Sequence, residues 1–522
     1  MAELSIIIPA RNEIFLSRTI DDILDNMEGD TEIIAVCDGY WPEPPIEDHD
    51  RVNIIHFSKS IGQRAATNAG AKISKSKYIM KLDAHCSFDK GFDVKMMAEM
   101  RDDLTMIPLM RNLHAFDWVC ENGHRRYQGP SGVCKECGKE TKMDVLWIGK
   151  PSPQSTAYYF DKDLHFQYHP DQKKKQTGDI VETMSAQGSC FMLTREKYFD
   201  LNICDETWGS WGNQGTEVAL KTWLSGGRLV VNKKTWYAHM FRTQGGDFGF
   251  PYKQDERQVK RARQCSRDLF LNNNWDKAKY PISWLIKKFN PPTWEIKEPT
   301  KGILYYTDNR LDETIMSSVQ KQINACRNGH PLVSVSLKPI KFGDNIIVNS
   351  ERSVLTMFKQ ILAGLEKLTT DIVFFCEHDV LYHPSHFKFT PERVDLFYYN
   401  DNKWRVDFKS GQALFYHCAQ VSGLCGYRKL LINHYKKCID KAEKYGYNHK
   451  DGYEPGTRTK QFELYNSEVP NIDIRHEHNL TSSRWSQDQF RDKSTCLGWT
   501  MSDEVPGWGI TKGRFKELLQ GV

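Results

Sequence analysis

The chain has 522 residues, more than one ordinary hydrophobic core accommodates, which indicates two or three domains. Hydrophobic residues make up 39%, aromatic residues 12% and charged residues 26%, a composition that excludes a disordered or fibrous chain. The net charge of +4 is mildly basic, so it permits a polyanionic partner without requiring one.

The apolar runs and the cysteines indicate the cellular compartment that we expect for the protein. The longest apolar runs, such as residues 371–376, are much shorter than the ~20 residues of a membrane-spanning helix. A strand follows Met1 at once, which leaves no room for a secretory leader. The 14 cysteines therefore indicate thiols and metal ligands, and we expect a cytoplasmic protein without a membrane segment.

The first eighty residues alternate predicted strands and helices. Strands are predicted over 4–8, 32–36, 52–55 and 77–82, with an amphipathic helix after the first strand and a small-residue helix over 62–71. This alternation predicts an α/β domain with a mostly parallel sheet and ligands at the carboxyl ends of its strands. Asp38 and Asp83 follow two of these strands; for Asp38 a turn-capping aspartate is the alternative.

The pair Asp83 and His85 follows the fourth predicted strand. Side chains alternate along an extended chain, so a carboxylate and an imidazole two residues apart lie on one side of it. Both are ligands for a divalent cation, and an ordinary surface turn is the alternative.

Several motifs, taken in order, resemble the nucleotide-sugar half of the Rossmann-like GT-A glycosyltransferases: IIIPARNE, CDG, GQRAATNAGA and KLDAH. Further on, the segments 208–217, 221–228 and 239–242 resemble the polypeptide N-acetylgalactosaminyltransferase branch. The resemblance implies a GT-A domain over residues 1–275 that uses a UDP-sugar donor with Mn²⁺ or Mg²⁺. It implies that the cation is bound by Asp83, His85 and His239. It also implies a nucleotide pocket formed by Arg11, Glu13, Asp38, Arg64 and Trp211, with Asp38 on the uridine.

The resemblance also implies the catalytic residues, and this sequence differs from the family pattern at one of them. A cation bound by Asp83 neutralises the departing diphosphate, and mixed carboxylate and imidazole ligands favour Mn²⁺. Gln214 stands where the resembled segment has an acid, while Glu217 is kept, so retention and inversion at the anomeric carbon both stay open. Glu217 is the candidate base for the acceptor proton, and a glutamate on a helix surface is the alternative.

An insertion at about 115–145 has the spacing of a structural zinc ribbon. Its ligands are Cys120, His124, Cys134 and Cys137, which leave no open position on the ion. The ribbon is basic, so it is a candidate for phosphate contact, and a solvated charged face is the alternative. Its cationic residues are Arg125, Arg126, Lys135, Lys139 and Lys142.

The rest of the chain predicts a lid, a linker and a second domain. The glycine-rich turn at Gly245, Gly246 and Gly249, with a basic helix over 254–272, is the predicted lid, and 276–300 is the predicted linker. Residues 301–522 repeat the strand and helix alternation and predict a second GT-A-like domain, with a scaffold that only binds as the alternative. Its possible metal site comprises Glu377, Asp379 and His478, with His476 as the other late histidine.

Two classes of function remain open at the level of the sequence. The first is a metal-dependent glycosyltransferase, with a 5-hydroxymethylpyrimidine base in phage DNA as the first choice of acceptor and a bifunctional polysaccharide transferase as the alternative. The second is a non-catalytic protein that binds a glycan or nucleic acid on the same scaffold. The ordered set Asp83, His85, Glu217 and His239 favours the enzyme.

Overall fold

The computed structural model divides the chain into two compact units, at 1–296 and 297–522. It describes residues 2–241, 252, 256–295, 297–448, 452–477, 479, 483–490 and 492–521, apart from the side chains of 256, 493 and 494. Gly245, Gly246 and Gly249 of the predicted lid lie outside these residues, as do Arg242 and His478. No helix in the described ranges combines the length and apolarity needed to cross a bilayer.

Unit 1 contains thirteen described strands: β1 Leu4–Ala10, β2 Thr31–Asp38, β3 Val52–Phe57, β4 Tyr78–Leu82, β5 Cys86–Phe88, β6 Leu104–Cys120, β7 Arg125–Tyr127, β8 Thr141–Ser155, β9 Tyr158–Phe160, β10 Phe166–Tyr168, β11 Ile180–Glu182, β12 Cys190–Thr194 and β13 Arg228–His239. Its described α-helices are α1 Leu16–Asn26, α2 Gln63–Ile73, α3 Phe92–Glu99, α4 Pro170–Lys175, α5 Arg195–Asp200, α6 Gln214–Leu224, α7 Glu256–Ser266 and α8 Ile282–Phe289. The predicted basic helix over 254–272 is α7 followed by a π-helical turn, Arg267–Leu271.

The α/β prediction for unit 1 is confirmed, but its sheet is mixed rather than mostly parallel. The strand order is β11-β13-β6-β12-β4-β1-β2-β3. Strands β3, β2, β1 and β4 are parallel, whereas β12 runs antiparallel to both β4 and β6. After β4 the chain forms β6 to β11 before it returns to the central sheet. There β12 inserts between β4 and β6 and runs in the direction opposite to both. The parallel strands still end at one edge, where Ala10, Asp38 and Leu82 are the last residues.

The segments predicted as an insertion and a linker are continuous with unit 1. β6 lies in the central sheet near Met106 and extends to Cys120, where it pairs with β8 to carry the ribbon. The expected linker, 276–300, contains α8, whose apolar residues lie at i, i+3, i+4 and i+7. Phe289 at the end of α8 packs against Trp223 with ring centroids 5.2 Å apart, so this helix belongs to the core of unit 1.

Unit 2 is a second α/β unit with a mixed sheet. Its described strands are β14 Lys301–Thr307, β15 Leu332–Ser336, β16 Asp344–Ile347, β17 Ile372–Glu377, β18 Val380–Leu381, β19 Phe397–Asn400, β20 Lys403–Asp407, β21 Ala413–Phe415, β22 Leu424–Tyr427, β23 Phe462–Tyr465, β24 Asn471–Arg475, β25 Thr500–Ser502, β26 Glu504–Val505 and β27 Gly509–Ile510. Its described α-helices are α9 Glu313–Cys326, α10 Val354–Lys367, α11 Arg428–Tyr445 and α12 Phe515–Gly521.

The main sheet of unit 2 has a buried core on each face. Its order is β16-β15-β14-β17-β22-β19-β23, and a second sheet has the order β18-β24-β20-β21-β25. Alternate residues of β14 point to opposite faces: Ile303 and Tyr305 pack towards α9, and Leu304 and Tyr306 pack towards α10 and α11.

Candidate active site

Three predicted metal ligands meet at the edge of the sheet where β1 and β4 end. Asp83 follows β4, His85 precedes β5, and His239 is the last residue of β13. Because β13 pairs antiparallel with β5, with Cys86 opposite His239, the two imidazoles come together. Their Nε2 atoms are 3.1 Å apart, and His239 Nε2 lies 3.3 Å from an Asp83 carboxylate oxygen. The candidate ligand atoms all lie within 4.8 Å of one another, a spacing that one cation spans.

The protonation states of Asp83 and His239 suit a metal ion. Burial, together with the neighbouring charges of His85 and Lys81, lowers the pKa of His239 to about 4. Burial raises the pKa of Asp83, but Lys81 and His239 outweigh it and hold the pKa well below its usual range. The Lys81 ammonium donates to Asp83 and, at 3.0 Å, to the carbonyl of Gly188. At neutral pH the site therefore presents a neutral imidazole and a carboxylate, the forms that bind metals.

Glu13 holds one of the two imidazoles. It was predicted in the nucleotide pocket, and it does line the same cavity as the triad. Its carboxylate also lies 3.0 Å from His85 Nδ1 and accepts from the backbone amide of Phe15 at 3.2 Å. A proton on Nδ1 that donates to Glu13 leaves Nε2 of His85 free for a cation, the usual arrangement of histidine ligands.

A cavity of about 340 Å³ is lined by the triad and by several other segments of unit 1. This volume lies within the range of small-ligand sites. Arg11 follows β1 on one wall, and Trp211 and Gln214 lie on another. Gln214 is the first residue of α6, and its amide donates to Cys204 Sγ at 2.8 Å. These three predicted residues are therefore close to the triad.

Asp38 and Arg64, predicted in the nucleotide pocket, are not part of the cavity lining. Asp38 is buried and accepts three hydrogen bonds from the loop before α2. The donors are the Ser60 hydroxyl at 2.8 Å and the amides of Ile61 and Gly62 at 2.6 and 3.0 Å. In this structure Asp38 therefore has the turn-capping position that the sequence left as the alternative.

Glu217, the predicted base, lies in a buried ion cluster and is not among the residues that line the cavity. It forms ion pairs with Arg64 and, at 2.7 Å, with Lys221, and it accepts from the amide of Asp205 at 3.0 Å. Burial raises its pKa, but Arg64 and Lys221 outweigh that effect and lower it. Arg64 also donates to the carbonyl of Gly212 at 2.6 Å, so the cluster fixes the loop that leads into α6.

The four predicted zinc ligands converge. The ligand atoms of Cys120, His124, Cys134 and Cys137 lie within 4.8 Å of one another. Cys134 Sγ is 3.6 Å from His124 Nδ1, and Cys137 Sγ is 3.7 Å from Cys120 Sγ. The backbone amides of Glu136 and Cys137 lower the pKa of the Cys134 thiol to about 6, which favours the thiolate form. One histidine nitrogen and three thiolates at these separations fit a structural Zn²⁺.

Two cations of the ribbon are bound to acids on the ribbon itself. Arg125 donates to Asp117 at 3.0 Å and also pairs with Asp144. Lys139 forms an ion pair with Glu121. These interactions favour a solvated ion-paired face over the predicted phosphate-binding face.

The possible second metal site in unit 2 is described in part, because His478 lies outside the described residues. Glu377 ends β17 and accepts a hydrogen bond from the Tyr306 hydroxyl. Burial and the charge of Asp379 raise the pKa of Glu377 to about 8. Asp379 has its carboxylate 3.3 Å from Nε2 of His476. The structure thus brings one late histidine to Asp379.

Comparison with known proteins identifies the segment that contains Asp83 and His85, whereas His239 lies beyond the matched residues. Residues 5–125 match the family Glycosyl transferase family 2. The chain carries a glycosyl transferase family 2 domain. The chain is distantly similar to polypeptide N-acetylgalactosaminyltransferases, which confirms the resemblance in the motifs: it is 22% identical over 351 residues to the Homo sapiens polypeptide N-acetylgalactosaminyltransferase 3. It is also 22% identical over 266 residues to polypeptide N-acetylgalactosaminyltransferase 5 of Caenorhabditis elegans.

These similarities cover parts of each protein. They span 61% and 48% of this chain but only 50% and 38% of the two relatives, so the chain spans half or less of their length. Among solved structures, the chain is similar to the crystal structure of GalNAc-T7 with UDP, GalNAc and Mn²⁺. That match has a TM-score of 0.37 and 16% identity and covers 56% of this chain and 53% of that one.

Two residues of the family 2 domain site were missed at the level of sequence. Glu13 was placed on the nucleotide rather than on His85, because a strand pattern does not show which neighbour a side chain reaches across the sheet. Lys81 was not singled out, although a charged residue inside a buried strand is rare unless it is paired. Its position two residues before Asp83 is the signal that identifies it.

Proposed function

We propose that the family 2 domain is a metal-dependent transferase that moves a sugar from a UDP-sugar to a hydroxyl group. The observation that carries this proposal is the convergence of Asp83, His85 and His239 on the wall of a cavity at the carboxyl ends of β1 and β4. The similarity to family 2 glycosyl transferases supports the same class of reaction.

Residues next to the triad hold its side chains in position to bind a cation. A bound cation supplies charge neutralisation of the departing diphosphate. Lys81 fixes Asp83, and Glu13 fixes the tautomer and orientation of His85. One carboxylate and two imidazoles favour Mn²⁺ over Mg²⁺, since imidazole is a softer ligand than a carboxylate. The names of the relatives make UDP-N-acetylgalactosamine the first donor to test.

The acceptor we propose is a 5-hydroxymethylpyrimidine base in DNA. A groove of about 640 Å³, here called the basic groove, is lined by Arg257, Lys260, Arg261, Arg263 and Arg267, together with Asp163, His165 and Gln264. His165 lines both this groove and the cavity of the triad, so the two are adjacent. Arg267 forms an ion pair with Asp163, the one acid of the groove, and the four other cations favour a phosphate backbone, so they support this acceptor better than the ion-paired ribbon does.

Transfer of labelled sugar tests the proposal. The full chain with Mn²⁺ and labelled UDP-sugars is offered hydroxymethylated DNA, unmodified DNA of the same sequence, or oligosaccharides. We expect label on hydroxymethylated DNA alone, and none with Asp83→Asn, which removes the charge of one ligand. Label only on oligosaccharide contradicts the DNA acceptor. Binding of DNA without consumption of any donor contradicts the enzyme and favours the non-catalytic alternative.

A bifunctional polysaccharide transferase is the second candidate. It is favoured by one observation: unit 2 has a cavity of about 330 Å³ at the ends of β14 and β17, nearly the volume of the cavity in unit 1. In the same assay this candidate predicts growth of an oligosaccharide by two kinds of sugar when two donors are present. Addition of a single sugar, whatever donors are offered, contradicts it.

A further inference from the structure

A pair of antiparallel strands, here called the arm, joins the zinc ligands to the cation triad. The arm comprises β6 from Leu113 to Cys120 and β8 from Thr141 to Gly149. Cys120, at the tip of the arm, is one of the four predicted zinc ligands. At the other end, β6 continues into the central sheet, where Asn112 pairs with His239. One continuous strand therefore runs from beside the triad to the zinc ligands.

The base of the arm packs against residues that flank the triad. These residues form one buried cluster, here called the root cluster: Phe15, Leu113, Ala115, Phe116, Trp118, Trp147, Ala238 and Met240. Its β6 and β8 members belong to the arm, Phe15 lies just before α1, and Ala238 and Met240 are the sequence neighbours of His239. The arm thus shares one core with the segments that carry Glu13 and His239.

Contacts through Phe15 lead from the arm to one imidazole of the triad. The ring of Trp147 packs on that of Phe15 with centroids 5.4 Å apart, and Phe116 stacks on it at 6.0 Å. The backbone amide of Phe15 donates to one carboxylate oxygen of Glu13 at 3.2 Å, and the other oxygen lies 3.0 Å from His85 Nδ1. A shift of Phe15 would therefore move the carboxylate that orients His85.

A second contact leads from the arm to His239. A Cβ atom added at Gly149 in β8 would lie 2.6 Å from the ring of Trp236 and 3.2 Å from the Cβ of Ala238. The backbone of β8 therefore lies directly against β13, next to the last residue before His239. Because a side chain at position 149 has no room, glycine is what permits this close approach. The arm thus contacts the supports of both imidazole ligands.

Trp147 is held in a conformation that its own chemistry disfavours. It has a left-handed backbone, with φ of 60°, which is rare for a bulky residue. Its side chain is buried, and its indole N–H has no hydrogen-bond partner among the described residues. Such a conformation persists only where the surroundings fix it, and it is commonest at functional sites. The root cluster therefore fixes the ring of Trp147 against Phe15.

The order of the arm depends on its tip. Beyond Asn112, and within the part of the chain that the structure describes, β6 pairs with β8 and with the short β7 alone. Two long strands by themselves are marginally stable in water. The outward side chains of Val145 and Ile148 are 46% and 54% exposed, so that face adds little burial. A Zn²⁺ ion bound by the four ligands would supply the missing folding free energy.

We propose that the arm positions the cation triad, so that zinc bound at the tip strengthens the binding of Mn²⁺ by Asp83, His85 and His239. Trp147 is the positioning residue of this device, since it acts on His85 through Phe15 and Glu13. The inference rests on the proposed function, because the triad is the cation site of that function. It adds a regulation: the occupancy of a structural metal site sets the affinity of the catalytic one.

Titration calorimetry with Mn²⁺ tests the coupling on the full chain. The protein is prepared with one equivalent of zinc, or is freed of zinc by a chelator that is then removed. We expect the affinity for Mn²⁺ to be about tenfold weaker without zinc. Far-UV circular dichroism of both forms shows whether the rest of the chain stays folded.

A substitution at the base of the arm tests the same path with the zinc in place. Trp147→Leu keeps all four zinc ligands, so it should still bind one zinc, and it should bind Mn²⁺ about tenfold more weakly than the natural protein. Removal of zinc from this variant should weaken Mn²⁺ binding little further. Ile148→Ala, the adjacent residue with an exposed side chain, is the matched control and should keep the affinity and the coupling of the natural protein.

The outcomes separate this inference from the proposed function. Equal affinity for Mn²⁺ with and without zinc overturns the coupling and leaves the cation site intact. Natural affinity in zinc-loaded Trp147→Leu, or an equal loss in Ile148→Ala, overturns the path through Trp147. Absence of Mn²⁺ binding by the zinc-loaded natural protein overturns the cation site itself, and this inference with it.

Discussion

Glu13 acts on the cation triad through the imidazole that it holds. Glu13→Gln keeps the side-chain volume and removes the charge that faces His85 Nδ1. We expect the affinity for Mn²⁺ to fall about 10- to 100-fold, because ligands of this kind depend on such partners. Titration calorimetry with Mn²⁺ measures it, and Glu196→Gln on the exposed face of α5 is the control. An unchanged affinity would mean that Glu13 only lines the cavity.

His386 makes unit 2 sensitive to acid. It is fully buried, and burial together with the charge of Lys403 lowers its pKa from 6.5 to about 3. Between these values the unfolded chain binds a proton that the folded chain excludes, so the free energy of unfolding falls as the pH drops below 6.5. The loss is on the order of 2 kcal/mol at pH 5. His386→Phe keeps an aromatic ring beside Phe374 and Tyr382 and abolishes this titration.

Urea unfolding at several pH values measures this effect. The free energy of unfolding of His386→Phe should fall less than that of the natural protein between pH 7.5 and pH 5. The slope with pH is compared, because removal of the hydrogen bond from Asn400 shifts stability equally at every pH. His49→Gln, at an exposed position, is the control. Equal slopes for the natural protein and His386→Phe would contradict the assignment.

At the scale of elements, the Glu217 cluster holds the loop before α6. Glu217→Ala leaves Arg64 and Lys221 buried without their carboxylate, so we expect a loss of about 3–5 kcal/mol in the free energy of unfolding. Glu99→Ala removes a partly exposed ion pair with Lys234 and should cost less than about 1 kcal/mol. Denaturant unfolding measures both. Loss of transfer at unchanged stability would instead restore Glu217 as the base.

The basic groove on α7 predicts how the protein binds DNA. Arg257→Ala with Arg263→Ala removes two of its cations, which should weaken binding to all sequences about equally. The dependence of log K on log salt should become shallower by about one for each phosphate that is no longer neutralised. Fluorescence anisotropy at several salt concentrations measures it. Lys72→Ala with Lys75→Ala, exposed on and just beyond α2, changes the net charge equally, so an equal effect would exclude the groove.

The elements near the site differ in how far the sequence predicts them. β1, β2 and β4 are short buried runs with polar residues at or just beyond their ends, so local patterns locate them together with Asp38 and Asp83. The position of His239 beside His85 depends on the pairing of β13 with β5 across a long excursion, and only the family resemblance anticipated it. α8 was missed because flanking prolines suggested a linker, although its apolar spacing is helical.

At the scale of the molecule, the chain contains two α/β units with separate cores. Alternating strands and helices predicted both units, because that pattern is local in each half. The strand order of unit 2 was not predictable, since β22 lies between β17 and β19 in space but follows both in sequence. The ribbon was predictable because its four ligands lie in one short stretch, Cys120 to Cys137.

The ribbon and the triad have different ligand sets, so we expect them to prefer different metal ions. We expect the three thiolates and the imidazole of the ribbon to take the first equivalent of zinc and thereby to fold the ribbon. Zn²⁺ also binds imidazole more tightly than Mn²⁺ does, so further zinc should displace Mn²⁺ from His85 and His239. A zinc titration at fixed Mn²⁺ should therefore raise thermal stability up to one equivalent and lower transfer activity beyond it. If transfer depends on Mn²⁺ as proposed, we expect it to be fastest where free zinc is scarce and manganese is abundant.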